Sequence, residues 1–533
     1  MGTSMGPEAN IDLIRALEKQ IEEGNGDLIK LKRDRNLLLN ISAHVPPEIL
    51  GNIFAQILVR KGTFDGLQKG SYSFLLVCHH WFEVASNTPE LWSFWGNTFR
   101  DWKKRYRRSA AVPLDLVLRE FYASPDPFRG ALQDAVRSRV TQGTIRQVHL
   151  MSNNPYTLMP IISTLTPGDG GGQNENIESI ALHSGDGNIT LLASDFFTRS
   201  CLLRLRSLDL HGNVWIPPWD HLIPQTTLLT TLSLNITTPS PSPRPTTAQL
   251  FSILTSNPNL QELVLSDAVL PDDTDASTSR VQLRHLKTLS LAGKLHHLSG
   301  LLHQLILPVL DVLHLTGSDP TEADISRTLA SYMQEYFQRD PRFRDTLGVS
   351  SSTSPDSISI SVTVAGAQTI TPTQKPPQVS LTALADVSPP NKLLIDLITL
   401  IPRERVVFFQ AGVDVILPEA EELFFMMPNI ETLHLSKQVL SEGFLQPNPD
   451  GPHANTKLFP SLRSLRLEDV VYLNDKDWSL LTTYLTHQTS DNQAISLEVI
   501  GDFPSGLPEV VDGIRGLVRE FTHSSHPVAK EDK

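Results

Sequence analysis

The stretch Leu205-Arg206-Ser207-Leu208-Asp209-Leu210 decides how this 533-residue chain folds. Its last two leucines are two residues apart, so on an extended strand both point to one side. The first leucine lies one turn earlier and closes the layer. The same phrase, apolar-x-x-apolar-x-apolar, precedes it at Ile145-Arg-Gln-Val-His-Leu150 and Ile177-Glu-Ser-Ile-Ala-Leu182. It returns at Leu229-Thr-Thr-Leu-Ser-Leu234, Leu260-Gln-Glu-Leu-Val-Leu265, Leu286-Lys-Thr-Leu-Ser-Leu291 and Leu310-Asp-Val-Leu-His-Leu315. Two further copies stand at Ile430-Glu-Thr-Leu-His-Leu435 and Leu462-Arg-Ser-Leu-Arg-Leu467. One such unit cannot bury its own apolar side, so copies must stack.

Starts at 145, 177, 205, 229, 260, 286 and 310 are 32, 28, 24, 31, 26 and 24 residues apart. That is the leucine-rich-repeat period, somewhat stretched. The expected fold is α/β, an irregular leucine-rich-repeat solenoid over 141–500 with parallel strands and helices outside. Between copies, Thr247 to Ser256 is amphipathic and stops before Pro258, as a connecting helix should. The 316–429 gap is expected to hold two degenerate copies. Ile358, Ile360, Val362 and Val364 alternate like a strand, as do residues near 405–409, with a helix over 391–401 between them. Segments 237–247, 271–279, 346–357 and 371–376 are rich in Pro, Ser, Thr or Asp and cannot fold alone. Disordered insertions are therefore expected near 237–247 and 346–376. Residues 501–533 read as a C-terminal cap and tail, with a helix over 509–521.

Upstream, residues 10–39 read as helix. Ile14, Leu17, Ile21, Leu28, Leu31 and Leu38 take heptad positions, but Gly24-Asn25-Gly26 breaks the run. Residues 1–40 are an amphipathic helix or a helical hairpin. Then comes Ile41-Ser-Ala-His-Val-Pro-Pro-Glu-Ile-Leu50, where Pro46 and Pro47 suit the first helical turn. Ile49, Leu50, Ile53, Phe54, Ile57 and Leu58 follow at three- and four-residue spacing, a wide apolar stripe. After a polar connection, Leu75, Val77, Cys78, Trp81, Phe82 and Ala85 trace a second helix, and Thr88-Pro89-Glu90-Leu91-Trp92 starts a third turn. Four of the seven tryptophans fall between Trp81 and Trp102, more than a small three-helix unit can hide. Residues 96–140 read as linker helices.

The two blocks Pro46-Pro47-Glu48-Ile49-Leu50 and Leu75-Leu-Val-Cys-His-His-Trp-Phe-Glu-Val-Ala-Ser-Asn-Thr-Pro-Glu-Leu-Trp92 resemble the F-box, in the variety abundant in mushroom-forming fungi. The resemblance covers roughly 41–95. Val45 replaces the usual leucine and His79 stands at the usual basic position. The resemblance implies a three-helix module docking on a Skp-family adaptor and, through it, on a cullin–RING ubiquitin ligase. Carried over residue by residue, it implies adaptor contacts at Pro46, Pro47, Ile49, Leu50, Ile53, Leu75, Val77 and Trp92. Trp81 and Phe54 fill either the same contact or the module's own core. The chain would then be a non-catalytic receptor of that ligase, holding an unknown target protein on the repeats. The alternative is an interaction scaffold whose binding does not lead to degradation. Outward strand positions Asp209, His211, Glu262, Arg466 and Glu468 are the candidate target contacts.

Composition narrows the classes further. A net charge of −13 argues against a general nucleic-acid binder. Two cysteines, Cys78 and Cys201, build neither a disulfide framework nor a CxxC pair, which suits cytoplasm or nucleus. No leader pattern opens the sequence and no apolar run reaches the ~20 residues that cross a bilayer, so no membrane is expected. His149, His314 and His434 share the outward slot of their strands, but in repeat order Ala181, Asp209 and Ser233 follow His149, so no metal site is expected. Gly168-Asp-Gly-Gly-Gly172 lacks the lysine of a phosphate loop, and Cys78 sits on an apolar helix, a packing role. No catalytic residue and no cofactor are expected. Arg100-Asp-Trp-Lys-Lys-Arg-Tyr-Arg-Arg108 reads as a solvated linker helix, with phosphate binding or nuclear import as rival readings.

Overall fold

Every one of the nine phrases forms a parallel strand, because its paired apolar residues have a common side to bury. The computed structural model describes residues 7–22, 32, 35, 45–60, 73–96, 107–109, 112–119, 127–152, 161–165, 176–185, 190–191, 203–212, 214–215, 219, 226–236, 244–268, 280–318, 332–338, 347–354, 357–364, 378–384, 401–411, 427–436, 459–468, 475–490, 495–500 and 508–524. The chain divides into two compact units, 1–205 with 213–217, and 206–212 with 218–533. The architecture is mixed α/β with a large parallel sheet.

In the first unit, helix α1 spans Pro7–Glu22, shorter than the predicted 10–39; Leu28, Leu31 and Leu38 lie outside the described residues. Helix α2 is Pro47–Arg60 and α3 is His79–Ser86, with single 3-10 turns at Ser73–Leu76 and Pro89–Trp92. Strands β1 (Phe94–Gly96), β2 (Leu114–Arg119), β3 (Ile145–Ser152) and β4 (Ser179–Ser184) pair in parallel, in that order. Trp95, Leu116, Val148 and Ile180 share one register row and are all buried. The linker predicted over 96–140 is thus corrected: it holds β2 as well as a helix, α4 (Pro127–Thr141). Leu114, Leu116 and Leu118 alternate inward there, so the segment buries a side that a linker helix would leave wet. The sheet begins at Phe94, well before 141.

The second unit opens with β5 (Ser207–His211), β6 (Thr231–Asn235), helix α5 (Thr247–Ser256), β7 (Glu262–Ser266), β8 (Thr288–Lys294), helix α6 (Leu295–Gln304) and β9 (Val312–Ser318). Leu208, Leu232, Leu263, Leu289 and Leu313 form one buried row across the five strands, each 0 % exposed. Burying each such leucine stabilises the fold by about 1.5–3 kcal/mol relative to exposure. Strand entry repeats one hydrogen-bond device. The amides of Gln261 and Glu262 both donate to Thr230 O, at 2.8 and 3.0 Å. Those of Lys287 and Thr288 donate to Gln261 O at the same distances, and those of Asp311 and Val312 to Lys287 O at 2.8 Å each. Helix α5 starts on a capping box between Thr246 and Gln249 and ends at Asn257, before Pro258. The buried Asn257 side chain accepts from Leu229 N at 3.0 Å and donates to Ile253 O at 2.8 Å, tying the helix end to the preceding layer.

The interval after β9 departs from expectation. Strands β10 (Leu347–Ser354), β11 (Ser357–Val364) and β12 (Gln378–Leu384) form an antiparallel meander, placed so that β12 pairs in parallel with β9. β10 pairs in parallel with β13 (Val406–Ala411). The disordered insertion expected over 346–376 therefore contains two strands. Serine and threonine runs suffice because both edges of β10 find backbone partners, and Leu347 and Val362 are buried. The helix expected over 391–401 lies outside the described residues apart from Ile401, as does 237–243 of the other insertion. An unforeseen helical segment at 332–338 buries Tyr332, Met333, Tyr336 and Phe337. Parallel pairing then continues through β14 (Thr432–Ser436), β15 (Ser464–Glu468), β16 (Ser496–Ile500) and β17 (Glu520–Ser524). Helix α7 (Asp475–Ser490) precedes β16, and α8 (Pro508–Leu517) precedes β17. The tail helix is thus shorter than 509–521, and the chain re-enters the sheet after it.

Candidate functional site

Helix α2 carries the large apolar side chains Ile49, Leu50, Ile53, Phe54 and Ile57 over an arc of about 140°, and only one edge of that arc is buried against the rest of the module. Consecutive helical residues stand about 100° apart. Leu50 and Phe54 turn into a core with Phe74, Val84, Ala85, Leu91 and Trp92. Phe54 stacks on Phe74 with ring centroids 4.5 Å apart and leans on Trp81 at 5.1 Å. One residue back in each case, Ile49 and Ile53 face outward with Ile57, at i, i+4 and i+8. Ile49 is 51 % exposed and Leu50 is 2 % exposed.

Leu76, Val77 and Phe82 complete the set of large exposed apolar side chains here, Leu76 being 88 % exposed. The segment between Phe74 and Val77 is a 3-10 turn rather than the start of the helix predicted from Leu75 onward. Cys78 stands before α3 rather than on it and caps it: its half-buried Sγ accepts from Trp81 N at 3.5 Å. The extended backbone at Cys78 breaks the helical path and leaves Leu76 and Val77 in water.

The predicted contacts therefore separate. Pro46, Pro47, Ile49, Ile53 and Val77 are exposed, and Leu75 is partly buried against the core. Leu50 and Trp92 are corrected: both are core residues, and Trp92 Nε1 donates to Ala85 O at 2.7 Å. Phe54 and Trp81 belong to that core as well. Two of these tryptophans are hidden, Trp92 and Trp95 being 5 % and 3 % exposed, and Trp102 lies outside the described residues. Ile57, Leu76 and Phe82 were missed as surface residues. Helical spacing held Ile57 and Phe82 as members of apolar stripes, but nothing local marked Leu76.

On the opposite flank of α2, Gly51 meets the Pro89–Trp92 turn. A Cβ there would lie 3.0 Å from Thr88 Oγ1, which itself donates to Val84 O at 2.8 Å. A groove beside this contact is lined by Glu48, Asn52, His80, Glu83, Asn87 and Glu90 among others. Glu83 is engaged with His79 at 2.9 Å.

The candidate target contacts all stand at outward positions of the sheet in the second unit, in two separate groups. Asp209, His211 and Glu262 lie on β5 and β7, while Arg466 and Glu468 lie on β15, with β8 through β14 between. Arg466 donates through Nε to Glu468 at 2.8 Å and faces Glu498 at 3.4 Å. In the same register row stands His434, its ring 4.7 Å from that of Phe408. Burial, and then the charge of Arg466, lower its pKa below the usual 6.5; Glu468 and Glu498 offset this in part. In the first unit the hydrogen bond from Arg146 to Asp115, 2.6 Å at its shorter contact, raises the arginine's pKa against the effect of burial. His149 pairs in register with Ala181, and His434 with Gln410 and Arg466. Among the described residues no three His, Cys, Asp or Glu side chains are grouped to hold a metal, and no helix is long and apolar enough to cross a membrane.

No protein-family model matches this chain, and no curated protein matches it.

Proposed function

We propose that the chain is a receptor subunit of a Skp–cullin–F-box ubiquitin ligase, docking its adaptor through residues 45–92 and a target through the sheet. The observation that carries this is the division of apolar side chains on one small helical module. Leu50, Phe54, Phe74, Val84 and Leu91 make a self-sufficient core, while Ile49, Ile53, Ile57, Leu76, Val77 and Phe82 remain outside it. Scattered exposed leucines are ordinary, but six large apolar side chains on so few residues favour a covering partner. The two F-box-like sequence blocks supply the identity of that partner.

For the sheet, the leucine-rich-repeat solenoid remains our reading, supported by the recurring strand-entry device and the in-register leucine rows. Its role is proximity: the target is held near a charged ubiquitin carrier on other subunits, and this chain contributes effective concentration rather than a chemical step.

The test is co-purification of the full chain with a Skp-family adaptor, expected to give a stoichiometric complex. Ile53→Asp with Leu76→Asp removes it while the thermal midpoint stays put. Undiminished binding by that double variant sinks the proposal. A target protein that accumulates in cells when residues 41–95 are deleted separates the receptor from a scaffold.

A further inference from the structure

We infer that Arg108 is an anchored cation at the border of the exposed apolar surface, set to receive a carboxylate of the docking partner; this rests on the docking proposal above. Of the basic run 100–108, Arg107 and Arg108 are described, in a helical turn ending at the buried Ser109. The Arg108 guanidinium carbon lies 4.4 Å from the centroid of the Trp92 ring and 5.7 Å from that of Phe82. The first ring is fixed, buried and hydrogen-bonded to Ala85 O at 2.7 Å, and the second is exposed. The cation is therefore held against the module core and beside one of its exposed apolar side chains.

Ring faces attract the guanidinium but do not take its in-plane N–H groups, of which arginine has five. Among the described residues no carboxylate forms an ion pair with Arg108; Glu83, which follows Phe82 on α3, is engaged with His79 at 2.9 Å. A guanidinium already immobilised loses little freedom on pairing, and it is weakly hydrated, so a partner carboxylate gains a cation at small cost. A phosphate would pair with the same fork. The adjoining Phe82 and the other exposed apolar side chains match a protein surface instead, one carrying an acidic residue next to apolar ones.

The experiment measures affinity of the full chain for a Skp-family adaptor, for the unaltered protein and for Arg108→Gln, Arg108→Lys and Arg108→Glu. Arg108→Gln is expected to weaken binding about tenfold and to make the affinity less sensitive to salt. Arg108→Lys keeps part of it, and Arg108→Glu is rescued when one adaptor carboxylate is changed to lysine. Equal affinity of Arg108→Gln and the unaltered chain overturns the inference. So does a loss that tracks a lowered thermal midpoint and is rescued by no adaptor charge reversal. So does binding of a single-stranded oligonucleotide that Arg108→Gln abolishes while adaptor binding persists. An unaltered chain that ignores the adaptor removes the docking proposal itself and the anchor with it, a result distinct from the other three.

Discussion

The helical module at 45–92 and the sheet of the second unit spend their apolar residues differently. In the sheet, strands β5, β6, β15 and β16 each alternate strictly between buried and half-buried positions. Most large apolar residues face in, with Val264, Phe408 and Ile500 among the half-buried exceptions, and the other outward slots are mainly polar. On α2, outward positions include apolar side chains of the same size as the inward ones: Ile49 beside Leu50, Ile53 beside Phe54, with Glu48, Asn52 and Gln56 filling the other outward slots. A structure that satisfies itself needs no such surplus. The difference teaches where to look for an interface that binds by burial, and where binding must instead be polar and spread over many small side chains.

The sharpest way to break this comparison is to exchange the roles of neighbours on α2. Phe54→Ala empties a fully buried ring site and should cost about 3–5 kcal/mol, read as a lowered denaturant midpoint with lost hydrogen-exchange protection over 47–60 and 79–92. Ile53→Ser, one residue away, should leave stability within about 0.5 kcal/mol and appear only in adaptor affinity. Equal destabilisation by both would erase the distinction.

In the sheet, Asn257→Ala should cost about 1–3 kcal/mol, because Leu229 N loses its acceptor inside the protein. Urea denaturation measures the total, and faster exchange of the Leu229 amide localises it. The smallest effect concerns His434. Its folded pKa lies below the unfolded value, so the neutral imidazole's contribution is complete above about 6.5 and is lost as pH falls through the folded pKa. His434→Gln should flatten that acid limb of the stability curve without changing the midpoint at pH 8. A variant with an unchanged acid limb would show that another group titrates there.

The sheet was legible wherever the full six-residue phrase occurs, since two inward leucines two apart admit one secondary structure once copies stack. In strand β2 the residue that pairs with the opening Ile145 is Leu114, but it stands two residues before Leu116 instead of three, so the six-residue phrase is broken and the segment does not match the repeat. The meander β10–β12 was half visible: the Ile358 to Val364 alternation marks a strand, but pairing order depends on partners far away in sequence. For the module, helical spacing announced a wide apolar stripe. Which edge of it turns inward is a matter of 100° between Leu50 and Ile49, decided by where Phe74 and Trp81 lie. The resemblance, carried over residue by residue, put Leu50 and Trp92 among the adaptor contacts, whereas both side chains lie in the module's own core.

The meander carries a consequence of parity. Going from β9 to β13 the strand direction reverses twice, at β12–β11 and again at β11–β10, and two reversals cancel. The flanking strands thus run the same way, and the three-strand insert behaves as a removable cassette. A chain excised of 347–384 would present β9 and β13 as edges of matching polarity, each with the backbone groups a parallel neighbour requires. What must be even is the number of antiparallel pairings across the insert, two here, and with that parity the strands from β13 onward keep the direction of β9.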